Sequence, residues 1–213
     1  SEKDIDLLNK KIDLTRWPDE INENWSHGTD LNFLKSFMDY WKTDFDWRKH
    51  EDKLNQVGSF KYLSKSGLKI HFLHSKSKLK NAIPLVMTHG WPGSVQEFLK
   101  VIPIIQKNSP FPIDIICPSL PGFGFSDKPT KPGMNSKEIA IIQHELVMAL
   151  GYKKYIVQGG DWGATISKWM AELFKNHCIA IHLNMVLAWP PSDKDIMYDV
   201  TEKEKKLIDN YEK

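Results

Sequence analysis

From residue 59 onward, short runs of hydrophobic residues alternate with turn residues and with amphipathic segments. Two runs, 59–64 and 68–74, flank the dipeptide Ser66-Gly67 and predict a β-hairpin. Four further hydrophobic runs predict strands, at 83–88, 113–117, 155–158 and 179–186. Three segments between them have the helical period and predict helices, at 95–106, 139–149 and 164–175. This order of elements predicts an α/β fold with a mostly parallel sheet and helices on both of its faces.

The first 57 residues differ, because they are rich in tryptophan and in charged residues. There, a cap at Thr29 or Asp30 precedes hydrophobic side chains that recur every three or four positions, at Leu34, Met38, Trp41 and Phe45. Beyond residue 188 a Trp-Pro-Pro sequence interrupts the chain, and Thr201 and Glu204 have the spacing of a capping box. We therefore predict a helical N-terminal region at 1–57, an α/β core at 58–188 and a separate segment at 189–213.

Composition excludes several classes of protein. The 213 residues carry 29 Lys and Arg against 27 Asp and Glu, a net charge of +2, which argues against nucleic acid or an anionic membrane as partner. No hydrophobic run is long enough to span a bilayer, and the charged N-terminus does not resemble a signal peptide. Two cysteines make no disulfide framework and no metal-binding pattern. We expect a cytoplasmic protein without metal or cofactor, and an upstream membrane anchor remains an open alternative.

The most informative motif is Gly159-Gly160-Asp161-Trp162-Gly163, which joins a predicted strand to a predicted helix. It has the G-x-nucleophile-x-G pattern of a nucleophile elbow. Its central residue is an aspartate, and a carboxylate is a competent nucleophile toward a saturated carbon. We therefore predict that Asp161 opens an epoxide or displaces a halide. The alternative is that Asp161 only caps the helix that follows it.

A second loop, 89–94, follows another predicted parallel strand and therefore lies at the same edge of the sheet. We expect this loop to contribute backbone groups rather than a nucleophile. The N–H groups of Trp91 and Trp162 are predicted to form a two-donor oxyanion site beside Asp161.

Other residues of these loops are predicted to shape the site. Pro92, as a cis proline, would lock its turn, and His89 is expected to hold the loop through hydrogen bonds rather than to act as a base. A third loop, 118–126, is expected to brace the site. Close backbone approach requires glycine at the remaining predicted positions, Gly90, Gly160 and Gly163.

With these motifs the chain resembles the epoxide hydrolases of the microsomal or juvenile-hormone type, which have an α/β-hydrolase core. The resemblance covers essentially all 213 residues and includes His89-Gly90-Trp91-Pro92, the loop 118–126 and the elbow at 159–163. The N-terminal region matches at three places, Thr15-Arg16-Trp17-Pro18, Gly28-Thr29-Asp30-Leu31 and 45–55. Dehalogenases share the core motifs, so the N-terminal region is what favours an epoxide substrate.

The resemblance implies a detoxification enzyme that converts small apolar epoxides into vicinal diols through an ester on Asp161. It also implies that 189–213 is the start of a helical lid, that tyrosines of this lid protonate the epoxide oxygen, and that an acidic residue with a histidine activates water. Those residues have no counterpart within 1–213, and neither Tyr198 nor Tyr211 matches a family motif. We expect a C-terminal half or a second polypeptide to supply them and to complete the sheet beside 179–186, with a homodimer as a further assembly.

Two alternatives remain open at this stage. A dehalogenase would use the same aspartate and release halide instead of forming a diol. A naturally short, inactive relative would act as a binding or regulatory protein.

Overall fold

A computed structural model describes residues 1–21, 24–187 and 200–211. The chain divides into two compact units, Ser1–Lys53 and Leu54–Lys213. We consider each unit by itself.

The first unit is helical. It contains α1 (Glu2–Asp13), a 3-10 turn (Trp25–His27), α2 (Leu31–Thr43) and the beginning of α3 (Trp47–Val57). Asp30 is the N-cap of α2, where its carboxylate accepts the N–H of Phe33 at 2.8 Å. The carboxylate of Glu20 accepts the N–H of Leu31 at 3.0 Å. The start of α2 thus has acceptors for two of its free backbone donors.

The second unit is built on a six-stranded sheet. Its strands are β1 (Ser59–Leu63), β2 (Lys69–Ser75), β3 (Ile83–Thr88), β4 (Ile113–Pro118), β5 (Tyr155–Gly159) and β6 (Cys178–Leu183). The order across the sheet is β1-β2-β4-β3-β5-β6. β1 and β2 form the predicted antiparallel hairpin, and β4, β3, β5 and β6 are parallel to one another.

Helices cover both faces of this sheet, which confirms the predicted fold class. On one face, α5 (Ser136–Ala149) and α6 (Trp162–Leu173) contribute to a core that includes Val86, Leu146 and Ile166. On the other face, α4 (Val101–Asn108) and a 3-10 turn at Val95–Phe98 contribute to a second core. All six residues of β4, including Asp114, are buried, because this strand is paired on both sides and lies inside the sheet.

One predicted helix is wrong in detail. The segment 95–106 is divided between the 3-10 turn at Val95–Phe98 and α4, which begins at Val101. The cause is Pro103, which has no N–H to give to a carbonyl four residues earlier. Because α4 begins at Val101, Pro103 falls in its first turn, where no such donor is needed.

The end of the described sheet also differs from the prediction. β6 stops at Leu183 rather than at residue 186, because the chain turns at Asn184, whose N–H bonds the carbonyl of Gly159 at 3.4 Å. β6 is an edge strand of the described sheet, and Ile179 and Ile181 are 50% and 44% exposed. The predicted Trp-Pro-Pro interruption and Tyr198 lie outside the described residues.

The predicted final helix is present as α7 (Glu202–Tyr211). Its capping box is confirmed, since the N–H of Thr201 donates to the Glu204 carboxylate at 2.8 Å. In return, the N–H of Glu204 donates to the Thr201 hydroxyl at 3.3 Å.

Candidate active site

Three strands end together at the carboxyl edge of the sheet. In the register, Thr88 at the end of β3 pairs with Gly159 of β5, and Gly159 pairs with Leu183 of β6. The loop 89–94, the elbow at 159–163 and Asn184 therefore start from neighbouring positions. Strand pairing over a long sequence separation is what brings the candidate residues to one place.

Asp161 lies in the turn between β5 and α6, immediately before the first residue of the helix. Its backbone has φ 52° and ψ −130°, a conformation that favours glycine. Its side chain makes no capping hydrogen bond to α6. The helix-cap alternative therefore has no support, and a strained backbone holds the carboxylate clear of the helix.

The glycines of the elbow are required by close packing. A Cβ atom on Gly163 would collide with the backbone carbonyl of Thr88, and one on Gly160 would collide with the side chain of Asn184. A Cβ atom on Gly159 would collide with the carbonyl of Gly163. The elbow thus packs against β3, against the turn after β6 and against itself.

The loop after β3 places a donor on the carboxylate. The N–H of Trp91 donates to Oδ1 of Asp161 at 2.8 Å, and a Cβ atom on Gly90 would collide with the same carboxylate. The Trp91-Pro92 peptide bond is cis, as the sequence suggested. Trp162 is the first residue of α6, so its N–H has no acceptor within the helix and remains the second predicted donor.

His89 is buried and joins two loops. Its Nε2 accepts the N–H of Leu120 at 3.1 Å, so its Nδ1 carries the proton and donates to the carbonyl of Gly90 at 2.9 Å. Burial lowers the pKa of His89 and keeps the ring neutral. With both ring nitrogens engaged, His89 has the geometry of a structural residue.

The loop 118–126 is anchored from behind by His71 of β2. The hydroxyl of Ser126 accepts the N–H of His71 at 2.9 Å, and the His71 Nδ1 lies 2.8 Å from the hydroxyl of Ser119. Burial lowers the pKa of His71 to about 4, so this ring is also neutral at pH 7. The loop therefore braces the site, and none of these contacts brings a further reactive group to Asp161.

A cavity of about 380 Å³ opens beside Asp161. Six of the predicted site residues line it, namely His89, Gly90, Trp91, Pro92, Gly160 and Asp161, whereas Trp162 does not line it and Gly163 packs below the elbow. Six lining residues were not among the predicted site residues, Thr88, Gly93, Glu97, Phe98, Gln158 and Asn184. Of these, Glu97 had a recognisable signal, since it stands three residues after Ser94 in a capping box and accepts the N–H of Ser94 at 3.1 Å.

Further chemistry is limited among the described residues. No group of three or more His, Cys, Asp or Glu side chains could hold a metal ion within residues 1–21, 24–187 and 200–211. In the same part of the chain, no helix is both long and apolar enough to cross a bilayer. The elbow carboxylate and its backbone donor thus remain the centre of the candidate site.

Two protein families match this chain. Residues 1–98 match the sequence model described as "Epoxide hydrolase N terminus", and residues 83–203 match the model described as "alpha/beta hydrolase fold". This chain belongs to the epoxide hydrolase family. The resemblance drawn from its motifs is thereby confirmed, for the N-terminal region as well as for the core.

Individual epoxide hydrolases are similar over most of the chain. Epoxide hydrolase 1 of Oryctolagus cuniculus is 39% identical over 198 residues, which are 88% of this chain and 43% of that protein. Juvenile hormone epoxide hydrolase 1 of Ctenocephalides felis is 42% identical over 175 residues, which are 79% of this chain and 38% of that protein. The chain thus spans less than half the length of these curated relatives.

Solved structures of epoxide hydrolases have the same fold. The crystal structure of juvenile hormone epoxide hydrolase from Bombyx mori superposes with a TM-score of 0.79 at 39% identity, covering 87% of this chain and 50% of that one. The structure of Aspergillus niger epoxide hydrolase superposes with a TM-score of 0.80 at 29% identity, covering all of this chain and 57% of that one.

Proposed function

We propose that Asp161 is the nucleophile of an epoxide hydrolase that converts a small apolar epoxide into a vicinal diol. The observation that carries this proposal is the hydrogen bond from the Trp91 N–H to Oδ1 of Asp161, inside a cavity at the carboxyl edge of the sheet. This bond makes the two carboxylate oxygens different. Oδ1 is held by the backbone, and Oδ2 is free to react.

In the first step, a lone pair on Oδ2 attacks one carbon of the epoxide ring. A new carbon–oxygen bond forms, the ring carbon–oxygen bond breaks, and its electron pair stays on the epoxide oxygen, which takes up a proton. The product is an alkyl ester in which Oδ1 is the carbonyl oxygen.

In the second step, water attacks Cγ of the ester and loses a proton to a base. Negative charge develops on Oδ1, where the Trp91 N–H already lies at hydrogen-bond distance, and the Trp162 N–H is expected to add a second donor. When the tetrahedral intermediate collapses, the Cγ–Oδ2 bond breaks, Oδ2 takes up a proton and leaves as a hydroxyl of the diol, and the oxygen from water completes the regenerated carboxylate.

The base and the proton donors are expected to come from polypeptide outside residues 1–213. Within the described chain, His71 and His89 use both ring nitrogens in hydrogen bonds and have lowered pKa values, so neither is placed to activate water. Two observations support additional polypeptide: the exposed hydrophobic edge at β6 and the relatives of more than twice this length. We expect that polypeptide to pair with β6.

The test is to incubate the chain with styrene oxide and to measure diol release together with intact mass. We expect an adduct on Asp161 without steady diol formation, since ester hydrolysis needs a base whose loss costs roughly 10²- to 10⁴-fold in rate. Asp161→Asn should form no adduct. Glu172→Gln removes an exposed carboxylate at the end of α6 and should label as the unchanged chain does.

Other outcomes would redirect the proposal. Steady diol release that depends on Asp161 would place a base within residues 1–213, whereas chloride release from a haloalkane would favour the dehalogenase alternative. An adduct at another residue would refute Asp161 as the nucleophile. A chain that forms no adduct even with its C-terminal partner added would be a binding protein. Homodimer formation and a cytoplasmic location remain predictions, which light scattering and cell fractionation would test.

A further inference from the structure

Lysines are concentrated at the amino edge of the parallel strands, opposite Asp161. Three connections there carry six exposed lysines, Lys76, Lys78, Lys80, Lys153, Lys154 and Lys175. They precede β3, β5 and β6, which are neighbours in the sheet. With strands about 4.8 Å apart, these lysines spread over roughly 10–20 Å, which is about one to two Debye lengths at 0.1 M salt.

Few acids of this unit lie near these loops, namely the buried Asp114 and the exposed Glu172, which stands at the end of α6 before Lys175. Residues 54–187 contain 15 lysines against seven Asp and Glu, and two of those acids, Glu97 and Asp161, line the cavity at the opposite edge. Asp114 is near the lysine loops but is buried, where its carboxylate accepts the N–H of Ser77 and the hydroxyl of Tyr152. None of the six lysines forms an ion pair with a residue that the structure describes. The small net charge of the whole chain therefore conceals a strongly cationic edge.

Hydrogen bonds tie these connections into one surface. Asp114 joins the loop before β3 to the segment before β5, through Ser77 and Tyr152. The ammonium group of Lys154 donates to the carbonyl of Asn176 at 2.6 Å, which joins the segment before β5 to the one before β6. The partner of Lys154 in this contact is an uncharged carbonyl, so the contact is not an ion pair.

Exposed hydrophobic side chains stand among the lysines. Leu79, between Lys78 and Lys80, is 67% exposed, and Phe111, in the segment before β4, is 42% exposed. The N–H of Ile83 bonds the carbonyl of Pro112 at 2.9 Å, so the two loops run side by side. Cationic side chains around projecting hydrophobic ones are typical of surfaces that bind the interface of a bilayer.

We propose that this amino edge, centred on Lys76, Lys78, Leu79 and Lys80, docks the protein on an anionic lipid surface. The lysines attract the negative headgroups, each contributing an amount that corresponds to about a fivefold gain in binding. Leu79 and Phe111 enter the headgroup region. Nucleic acid would match the charge as well, but it would leave these two side chains in water, and for that reason lipid fits the surface better.

The test is co-sedimentation of the full chain with vesicles of phosphatidylcholine, alone or with 30% phosphatidylserine, in 0.1 M and 0.5 M NaCl. We expect binding only to the anionic vesicles and only at low salt. A triple variant, Lys76→Gln with Lys78→Gln and Lys80→Gln, should lower the partition coefficient about 100-fold. Leu79→Ser should lower it by roughly tenfold or more, from the loss of its hydrophobic contact.

The matched control carries Lys128→Gln, Lys131→Gln and Lys168→Gln, three exposed lysines outside these loops, and removes the same charge. The partition coefficient of this control should stay within about threefold of that of the unchanged chain, because charges more than a Debye length from the membrane are screened. Equal loss in this control, or equal binding to neutral vesicles, would overturn the proposal. The absence of vesicle binding would also overturn the proposal. The same holds for a protein that does not bind vesicles but binds a single-stranded oligonucleotide tightly through the same three lysines.

Discussion

Replacing Asp161 by glycine should stabilise the fold while it abolishes reaction with epoxide. Asp161 has φ 52° and ψ −130°, and a side chain in such a conformation costs about 1–3 kcal/mol. The exposed Trp91 N–H would exchange its bond to the carboxylate for one to water, so little is lost there.

Alanine at the same position isolates the strain. Asp161→Ala and Asp161→Gly lose the same carboxylate, but only alanine keeps a Cβ atom in the strained turn. Against this gain, the glycine variant loses about 0.4–1 kcal/mol of stability relative to the alanine variant, because its unfolded chain has more conformational entropy. The glycine variant should therefore exceed the alanine variant by about 1–2 kcal/mol in free energy of unfolding, or roughly 2–8 °C in Tm.

Urea unfolding and thermal melting followed by circular dichroism would measure this difference. Ala171→Gly, in ordinary helical conformation within α6, supplies the opposite control and should lose about 1 kcal/mol. If the alanine variant at position 161 proved as stable as the glycine variant, the turn would not be strained and the reasoning would fail.

Two further predictions concern pH and association. The pKa of His71 is about 4 in the folded protein and about 6.5 when exposed, so the unfolded chain binds more protons between these values. His71 alone should therefore contribute a fall in stability of up to about 1.4 kcal/mol per pH unit from pH 6.5 toward 4. His71→Gln should lose less stability between pH 7 and pH 5 in urea unfolding, and an equal loss would exclude this cause. Ile181→Lys, on the exposed β6, should reduce concentration-dependent association in light scattering without lowering the Tm, whereas unchanged association would show that another surface is responsible.

The sequence was sufficient to predict most of the sheet and the location of the elbow. Local hydrophobic periodicity and turn residues identified all six described strands, because each strand is short and bounded by glycine, proline or polar residues. The paired glycines around Asp161 identified the elbow, because few other motifs join a strand to a helix in this way.

Other features could not be predicted because they depend on contacts between distant segments. Gln158 and Asn184 line the cavity through strand register, which no local pattern records. The division of the helix at 95–106 depended on whether Pro103 would kink a continuous helix or begin a new one. The cationic edge was concealed because the residues outside 54–187 carry 20 acids against 14 Lys and Arg, and they offset the positive charge of 54–187 in the net charge of the chain.

The packing of the elbow glycines has a consequence for how such an enzyme can diversify. The Asp161 carboxylate is held by backbone contacts of Gly159 and Gly163 and by the Trp91 N–H, and Phe98, which lines the cavity, makes none of these contacts. Substitutions at lining positions such as Phe98 should therefore change which molecules fit in the cavity while the Asp161 carboxylate stays in place. The residues that shape the cavity thus differ from those that position the carboxylate, so substitutions can alter substrate range in this fold without altering the reaction.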